Sequence, residues 1–253
     1  MNVTLIGGSG LIGGKLAPLL EAAGHRVTLA SPSRGVNAVT GQGLAQALAG
    51  ADVVVDVSNS PSFEAEAVMQ FFRASTTNLL AAEQAAGVRH HVALSVVGAD
   101  RLADNAYMRA KVAQEALIRD GKVPYTIVRA TQFFEFLRAI ADDGAGGEAA
   151  RVSSALFQPI AADDVARFLA SVVAQAPRNG IVEVGGPERL PMHQAVQRAL
   201  DAHKEVRRIV ADPQAPYFGS VLDDQSLVAA ADATVGATTL EGWLANATGA
   251  GAR

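Results

Sequence analysis

Cysteine is missing altogether from the 253-residue sequence. Disulfides, thiolate metal sites and cysteine nucleophiles are therefore excluded. Aromatic residues make up only 5%, so the core has to be built from small aliphatic side chains. Lysine is scarce too, with 4 lysines against 17 arginines. No basic block stands out and the formal net charge is −4, which argues against an electrostatic nucleic-acid footprint. No apolar stretch reaches the length of a membrane span. The chain opens on an apolar run and a Gly-rich turn, with no charged leader or cleavage-like site. The expectation is a soluble cytoplasmic protein with a small-molecule substrate and neither a nucleic-acid nor a membrane partner. What the sequence has in excess is alanine, 50 residues, and glycine, 24. That bias reads as GC-rich coding and carries no information about activity. The length suits one large domain, or one domain with a small second lobe.

Short apolar runs alternate with helical patterns from the start. Strands are expected at Val3 to Ile6, Val27 to Ala30, Ala38 to Thr40, Asp52 to Val57, His91 to Ser95 and Tyr125 to Val128. Helices are expected at Leu11 to Ala23, Gly43 to Leu48, Phe63 to Ala86 and Tyr107 to Arg119, with Gly24 and Gly87 as stop signals. Strands this uniformly apolar are buried on both faces, and their alternation with helices implies a parallel sheet. The fold class is therefore α/β, a doubly wound parallel sheet of Rossmann-like type with a small C-terminal substrate lobe. The core covers about residues 1–130 and lobe elements cover about 131–253, all within a single domain. Beyond the core the pattern is less regular. It gives a loop at Asp142 to Gly147, a strand at Ala155 to Ile160, a helix at Asp163 to Ala174, a strand at Ile181 to Val184 and a helix at Pro191 to Ala202.

The first strand leads into Gly7-Gly8-Ser9-Gly10-Leu11-Ile12-Gly13, a G-x-x-G-x-x-G with a helix opening inside it. Glycines permit a tight turn and close backbone approach to a pyrophosphate, and the helix N-terminus supplies free N–H groups. The spacing departs by one residue from the usual G-x-G-x-x-G, and its weight comes from its place between first strand and first helix. Gly7, Ser9, Gly10, Leu11, Ile12 and Gly13 are the candidate cofactor contacts here. The second strand ends Leu29-Ala30-Ser31-Pro32-Ser33-Arg34 without the acid that would bind a ribose 2′-hydroxyl. Two hydroxyls and a guanidinium at Ser31, Ser33 and Arg34 suit a 2′-phosphate, so NADP(H) is preferred and NAD(H) stays open. The bland alternative for Arg34 is a solvated loop residue. Ser58 and Asn59 follow the strand at Asp52 to Val57 and are candidates for the cofactor's ribose or phosphate. Ser60 or Ser62 could equally cap the long helix.

Tyr107-Met108-Arg109-Ala110-Lys111 is a Y-x-x-x-K, which puts both side chains on one helix face. An ammonium beside a phenol would lower its pKa and let it exchange a proton near neutral pH. Lys111 could also bond the nicotinamide ribose. Ser95 ends the preceding strand and could polarise a substrate carbonyl. With only 3 tyrosines and 4 lysines in the chain, the pairing is informative. The alternative is an ordinary amphipathic helix with an exposed lysine and a half-buried tyrosine.

These residues carry a family resemblance. The sequence resembles an atypical short-chain dehydrogenase/reductase of the NmrA-like, NAD(P)H-binding group. The matching features are Gly7-x-x-Gly10-x-x-Gly13, Asp52-Val-Val-Val-Asp56, Leu94-Ser95-Val96-Val97-Gly98 and Tyr107-x-x-x-Lys111. The run from Pro124 to Phe133 and the segments Gln158-Pro159-Ile160 and Asp164-Val165-Ala166 are similar as well, so the likeness covers about residues 1–200. It implies a cofactor laid across the strand ends, with Tyr107 as general acid, Lys111 as its partner and Ser95 as carbonyl clamp. Val97, Gln132 and Phe133 would face the substrate. Many members carry proline where Ala130 stands. The group is mixed: some members reduce quinones, ketones or alkenes, and others only sense the cofactor.

Other eye-catching residues read as structural. Adjacent His90 and His91 face opposite sides of a strand and cannot share a metal simply, so no metal site is expected. Asp163 and Asp164 read as acids at a helix start, as do Asp223 and Asp224 before Leu227. Phe133, Phe134 and Phe136 cluster after the strand at Tyr125, where helical spacing makes some of them core, and Tyr217, Phe218 and Trp243 read as packing of the lobe or a cap on the pocket. The leading expectation is an NADPH-dependent reductase, a monomer or homodimer. The alternatives are a cofactor-binding regulator without turnover and a sugar-nucleotide epimerase, for which the chain is short.

Overall fold

The computed structural model describes residues 1–146 and 149–249. In chain order it forms β1 (Asn2–Ile6), α1 (Leu11–Ala22), β2 (Arg26–Ala30), α2 (Leu44–Ala47), β3 (Val53–Asp56), α3 (Ala65–Ala86), β4 (His90–Val96), α4 (Ala106–Asp120) and β5 (Tyr125–Ala130). Then come α5 (Leu137–Asp143), β6 (Ala145–Gly146), β7 (Ala149–Val152), β8 (Leu156–Phe157), α6 (Ala162–Val173) and β9 (Gly180–Gly185). The chain closes with β10 (Leu190–Pro191), α7 (Met192–Ala202), β11 (Arg208–Ala211), β12 (Thr234–Val235) and α8 (Leu240–Gly249). Seven strands form one sheet in the order β12-β9-β5-β4-β3-β1-β2. β1 pairs in parallel with β2 and with β3, β3 with β4, and β9 with β12. This is the Rossmann-like α/β architecture.

The local causes are plain in the sequence. β3 is three valines and an aspartate, all buried, as a central strand covered on both faces requires. α3 ends where Gly87 takes φ +71°, its N–H returning to Gln84 O and Glu83 O, a left-handed stop that glycine adopts without cost. Leu44, Leu48, Val54, Leu79 and Val88 form one apolar cluster, and Val68, Phe72 and Ala110 another, with Tyr107 packed on its margin.

The chain divides into two compact units. The first is Met1–Arg129 with Val165–Val182, and the second is Ala130–Asp164 with Glu183–Arg253. Nothing in the sequence marks the return of Val165–Val182 to the first unit. The second unit holds a three-stranded sheet, β11-β7-β6, and the β10-β8 pair. The amphipathic helix α7 buries Met192, Ala195, Val196, Ala199 and Leu200. Among the described residues no helix is long and apolar enough to cross a membrane.

Several expectations need correction. Ala38 to Thr40 is not a strand, because the Asn37 side chain accepts the N–H groups of Val39 at 2.9 Å and Thr40 at 3.4 Å and folds the segment into a turn. The strand at Tyr125 is accordingly the fifth. Ala155 to Ile160 shrinks to the two residues of β8, since Gln158 turns its amide onto Gly186 O and the Ala229 N–H. Asp142 and Asp143 close α5, and Ala145–Gly146 is β6, so the loop expected there is largely ordered structure; Gly147 lies outside the described residues. Asp223 and Asp224 precede no helix. Asp223 takes the Ser226 hydroxyl at 2.7 Å and Asp224 the Leu156 N–H at 2.9 Å.

Candidate active site

β1 delivers the chain into a turn pinned to the end of β2, where Gly7 and Gly8 donate to Ala30 O at 3.0 and 3.3 Å. Gly7 has φ +80°, and a Cβ there would stand 2.8 Å from the Ser58 N and Cα. A Cβ on Gly13 would stand 2.5 Å from Gly7 O and 2.6 Å from Gly8 Cα. Both contacts are closer than any side chain permits, so glycine is required at both positions. Gly10 is the N-cap of α1, with no side-chain cap and no acid in the first turn. Ser9, Gly10 and Leu11 are exposed while Ile12 and Gly13 are buried. An uncapped, acid-free helix start behind a turn without side chains is a cradle that fits a pyrophosphate.

At the end of β2, Ser31 is buried and its hydroxyl lies 3.0 Å from that of Ser33. Arg34 is exposed on the 3-10 turn Pro32–Arg34. The end of β3 holds a carboxylate the sequence did not single out as functional. Asp56 is 1% exposed; its Oδ1 accepts the Ser58 N–H at 3.0 Å and the Ser58 hydroxyl at 2.6 Å, and its Oδ2 accepts from Gln114 Nε2 at 3.0 Å. Asn59 is exposed and its Oδ1 accepts the Ser60 N–H. The serines shape the turn and do not cap the helix: Ser60 donates to Ser62 O, and Ser62 Oγ accepts from Glu64, the N-cap of α3, whose own side chain caps nothing. Phe63 therefore stands outside the helix, exposed, with its ring 5.8 Å from that of Tyr107.

α4 is started by Asn105, whose side chain accepts the Met108 N–H at 3.1 Å, a cap that fixes Tyr107 in the first turn. The Tyr107 ring also meets Phe72 at 5.9 Å. Burial pushes the phenol up to about 12. The expectation that Lys111 lowers it is thus overturned, and the reason is where the ammonium goes. Lys111 is 2% exposed. Its Nζ donates to Leu94 O at 2.8 Å and to Gln114 Oε1, and rests 4.3 Å over the Phe72 ring. Burial lowers its pKa to about 8, against the raising influence of Asp56 and Glu115. The lysine on this helix face is not an exposed one either.

Ser95 is buried and its hydroxyl donates to Glu115 Oε1 at 2.6 Å. Arg129 holds the same carboxylate in a two-pronged grip, Nε to Oε1 at 2.9 Å and Nη2 to Oε2 at 2.7 Å, and gives Nη1 to Asp100 at 2.9 Å. Burial opposes the guanidinium charge, but the two carboxylates outweigh it and raise the Arg129 pKa. Charge-assisted bonds of this kind hold the Glu115 carboxylate in place between Ser95 and Arg129. Val97 is buried just past β4. Gln132 and Phe133 belong to the second unit, where Gln132 O accepts the Ile160 N–H at 2.9 Å and Phe133 stacks on Phe136 at 5.7 Å.

Sequence reasoning missed Asp56, Gln114, Glu115 and Arg129 as site groups. Gln114 and Glu115 stand three and four residues after Lys111, on the same helix face, and that spacing was a usable signal. Asp56, an acid closing a buried valine run, was another. His91 and Glu83 form an ion pair at 2.8 Å with both side chains 0% exposed. Burial lowers the His91 pKa, but the Glu83 carboxylate outweighs it and the net direction is up. Among the described residues no three His, Cys, Asp or Glu side chains gather to hold a metal.

Comparison with known proteins adds to this geometry. A family model described as NAD(P)H-binding matches residues 7–176. No curated protein matches the sequence. Among solved structures, UDP-glucose 4-epimerase from Thermotoga maritima with UDP-glucose superposes with a TM-score of 0.75 at 15% identity, covering 98% of each chain. UDP-glucose 4-epimerase from Thermus thermophilus, complexed with NAD, gives 0.68 at 17% identity over 90% of this chain and 92% of that one. RMD from Pseudomonas aeruginosa, complexed with NADPH, gives 0.63 at 16% identity over 98% and 92%. Identities this low speak for the shared fold and not for a shared substrate.

Proposed function

Because the chain belongs to the NAD(P)H-binding family, we propose that it is an NADPH-dependent oxidoreductase that reduces a small carbonyl, quinone or activated alkene, with Tyr107 as proton donor. The observation that carries this reading is the glycine cradle, in which a Cβ on Gly13 would stand 2.5 Å from Gly7 O, set before a helix start that no side chain caps. Gly7, Ser9, Gly10, Leu11, Ile12 and Gly13 would hold the pyrophosphate, Ser31, Ser33 and Arg34 the 2′-phosphate, and Ser58 and Asn59 the adjoining ribose or phosphate. Bound there, the reduced nicotinamide supplies a hydride.

The chain's own residues supply the proton. With its pKa raised to about 12, Tyr107 is a neutral phenol at physiological pH and suits protonation of a reduced product better than removal of a proton from an alcohol. Its O–H bond breaks as the substrate's atom gains the proton, and water restores it. The Ser95 proton is committed to Glu115, so Ser95 could clamp a substrate carbonyl only by giving up that bond. Val97 is the proposed substrate contact beside it.

Titration with NADPH and NADH, followed by a panel of carbonyls, quinones and enones monitored by loss of reduced cofactor, tests the reading. Tyr107→Phe should bind NADPH as the parent does and lose about 10²–10⁴-fold in turnover, the usual worth of a general acid. Undiminished turnover would remove Tyr107 from the mechanism. A second reading is a cofactor-sensing regulator without catalysis. It is favoured by one observation, that the hydroxyl of Ser95 and the ammonium of Lys111 are engaged internally. Tight NADPH binding with no turnover across the panel would select it.

A further inference from the structure

The glycine turn and Lys111 lie on different elements; the turn packs against Ser58, and an unbroken series of hydrogen bonds runs from Ser58 to Lys111. At the turn, the Ser58 backbone fills the space that a Cβ on Gly7 would need, 2.8 Å away. Ser58 gives its N–H and its hydroxyl to Asp56 Oδ1 at 3.0 and 2.6 Å. Asp56 Oδ2 accepts from Gln114 Nε2 at 3.0 Å, and Gln114 Oε1 accepts from Lys111 Nζ. Asp56 and Gln114 are each 1% exposed. A primary amide placed between a carboxylate and an ammonium has one workable orientation, nitrogen to the anion and oxygen to the cation. The two charges are thus held by a group that cannot turn over without breaking both bonds, in surroundings where water does not replace them.

We propose that Gln114 is a positioning residue that, through Asp56, ties the ammonium of Lys111 to the Ser58–Gly7 contact, so that a nicotinamide dinucleotide seated on the glycine turn is sensed at Lys111. This rests on the reading of that turn as the cofactor cradle. The coupling gives the otherwise buried lysine a part in the reaction that needs no contact with the ribose. The groups facing the ammonium are the Asp56 and Glu115 carboxylates, the Gln114 amide, the Leu94 carbonyl and the Phe72 ring. Glu115 is itself neutralised by Arg129, and Asp56 also bears on the Glu83–His91 pair.

The scarcity of lysine makes the test direct. The chain has 4 lysines, Lys15, Lys111, Lys122 and Lys204, so protein carrying 13C at lysine Cε gives four side-chain signals, with Lys111 assigned by Lys111→Met. Its pH midpoint is followed in the free full-length chain and with saturating NADPH. We expect NADPH to move the midpoint by about 0.4 pH or more, the lower bound for coupled neighbours. Ser58→Ala should move it in the free chain. Gln114→Met, which keeps the side-chain length and removes both hydrogen bonds, should abolish both responses. A midpoint that ignores NADPH in a chain that binds it overturns the proposal, as does a response that persists in Gln114→Met. Should Gln114→Met not fold, Ser58→Ala decides alone, and an unmoved midpoint is fatal. Should NADPH not bind, the cofactor reading falls, while the Ser58→Ala arm still upholds or overturns the tie to Lys111.

Discussion

Arg34 stands exposed after β2, beside two hydroxyls 3.0 Å apart, and the end of β2 carries no acid to compete for it. If those three groups clasp a 2′-phosphate, the cost of removing the guanidinium falls on one cofactor only. Arg34→Ala should weaken NADPH by about 10–100-fold, the worth of a charged hydrogen bond, and leave NADH unchanged in the same fluorescence titration. Equal loss for both cofactors would remove the 2′-phosphate role. His90 carries a different kind of prediction. Burial lowers its pKa from 6.5 to about 4, with the charge of His91 adding to the effect, and its Nε2 lies 2.9 Å from the Thr126 hydroxyl. The unfolded chain takes up this proton below about pH 6.5 and the folded chain only near pH 4. Stability is therefore lost as pH falls through that window, by about 2–3 kcal/mol at pH 4.5. Denaturant melts of His90→Asn and the parent at pH 7.5 and 4.5 should show a shallower acid loss in the variant.

Two adjacent glycines of α1 separate phosphate binding from helix stability. A Cβ on Gly13 meets backbone at 2.5 Å, whereas one on Gly14 meets nothing within 4 Å. Gly13→Ala should destabilise by about 1–3 kcal/mol through overpacking and abolish NADPH binding. Gly14→Ala should stabilise by about 0.5–1 kcal/mol through helix propensity and bind as before. Calorimetry and cofactor titration of the pair check both. At this scale much was legible in advance. The alternation of β3, α3, β4 and α4 follows from buried valine runs and helical periodicity, and the cradle follows from glycines between strand and helix. The side-chain network behind the cradle was not legible, because Asp56 and Gln114 are 58 residues apart and only the tertiary fold brings their side chains together. The reversed effect at Tyr107 has the same origin: i, i+4 spacing shows that two residues share a helix face, but not that the lysine's longer stem reaches down to the Leu94 carbonyl. Short strands such as β11 and β12 carry too few residues for periodicity to show.

For the whole molecule, cofactor binding should appear as stability. A ligand at about 100 times its Kd adds about 2.7 kcal/mol to the state it binds, worth about 5–10 °C in Tm for a chain of this size. NADPH should raise Tm by that amount, NADH by less at equal concentration, and Gly13→Ala should show no rise; a thermal-shift series measures all three. Because the cradle belongs wholly to the first unit, the second gains only what cooperativity passes on. The chain has one tryptophan, Trp243, on α8 in the second unit, its ring 5.5 Å from Phe134. Intrinsic emission is therefore a local optical gauge of the unit that lacks the cradle, while circular dichroism averages over both. Followed side by side, the two signals tell whether the units melt as one cooperative body or in two steps.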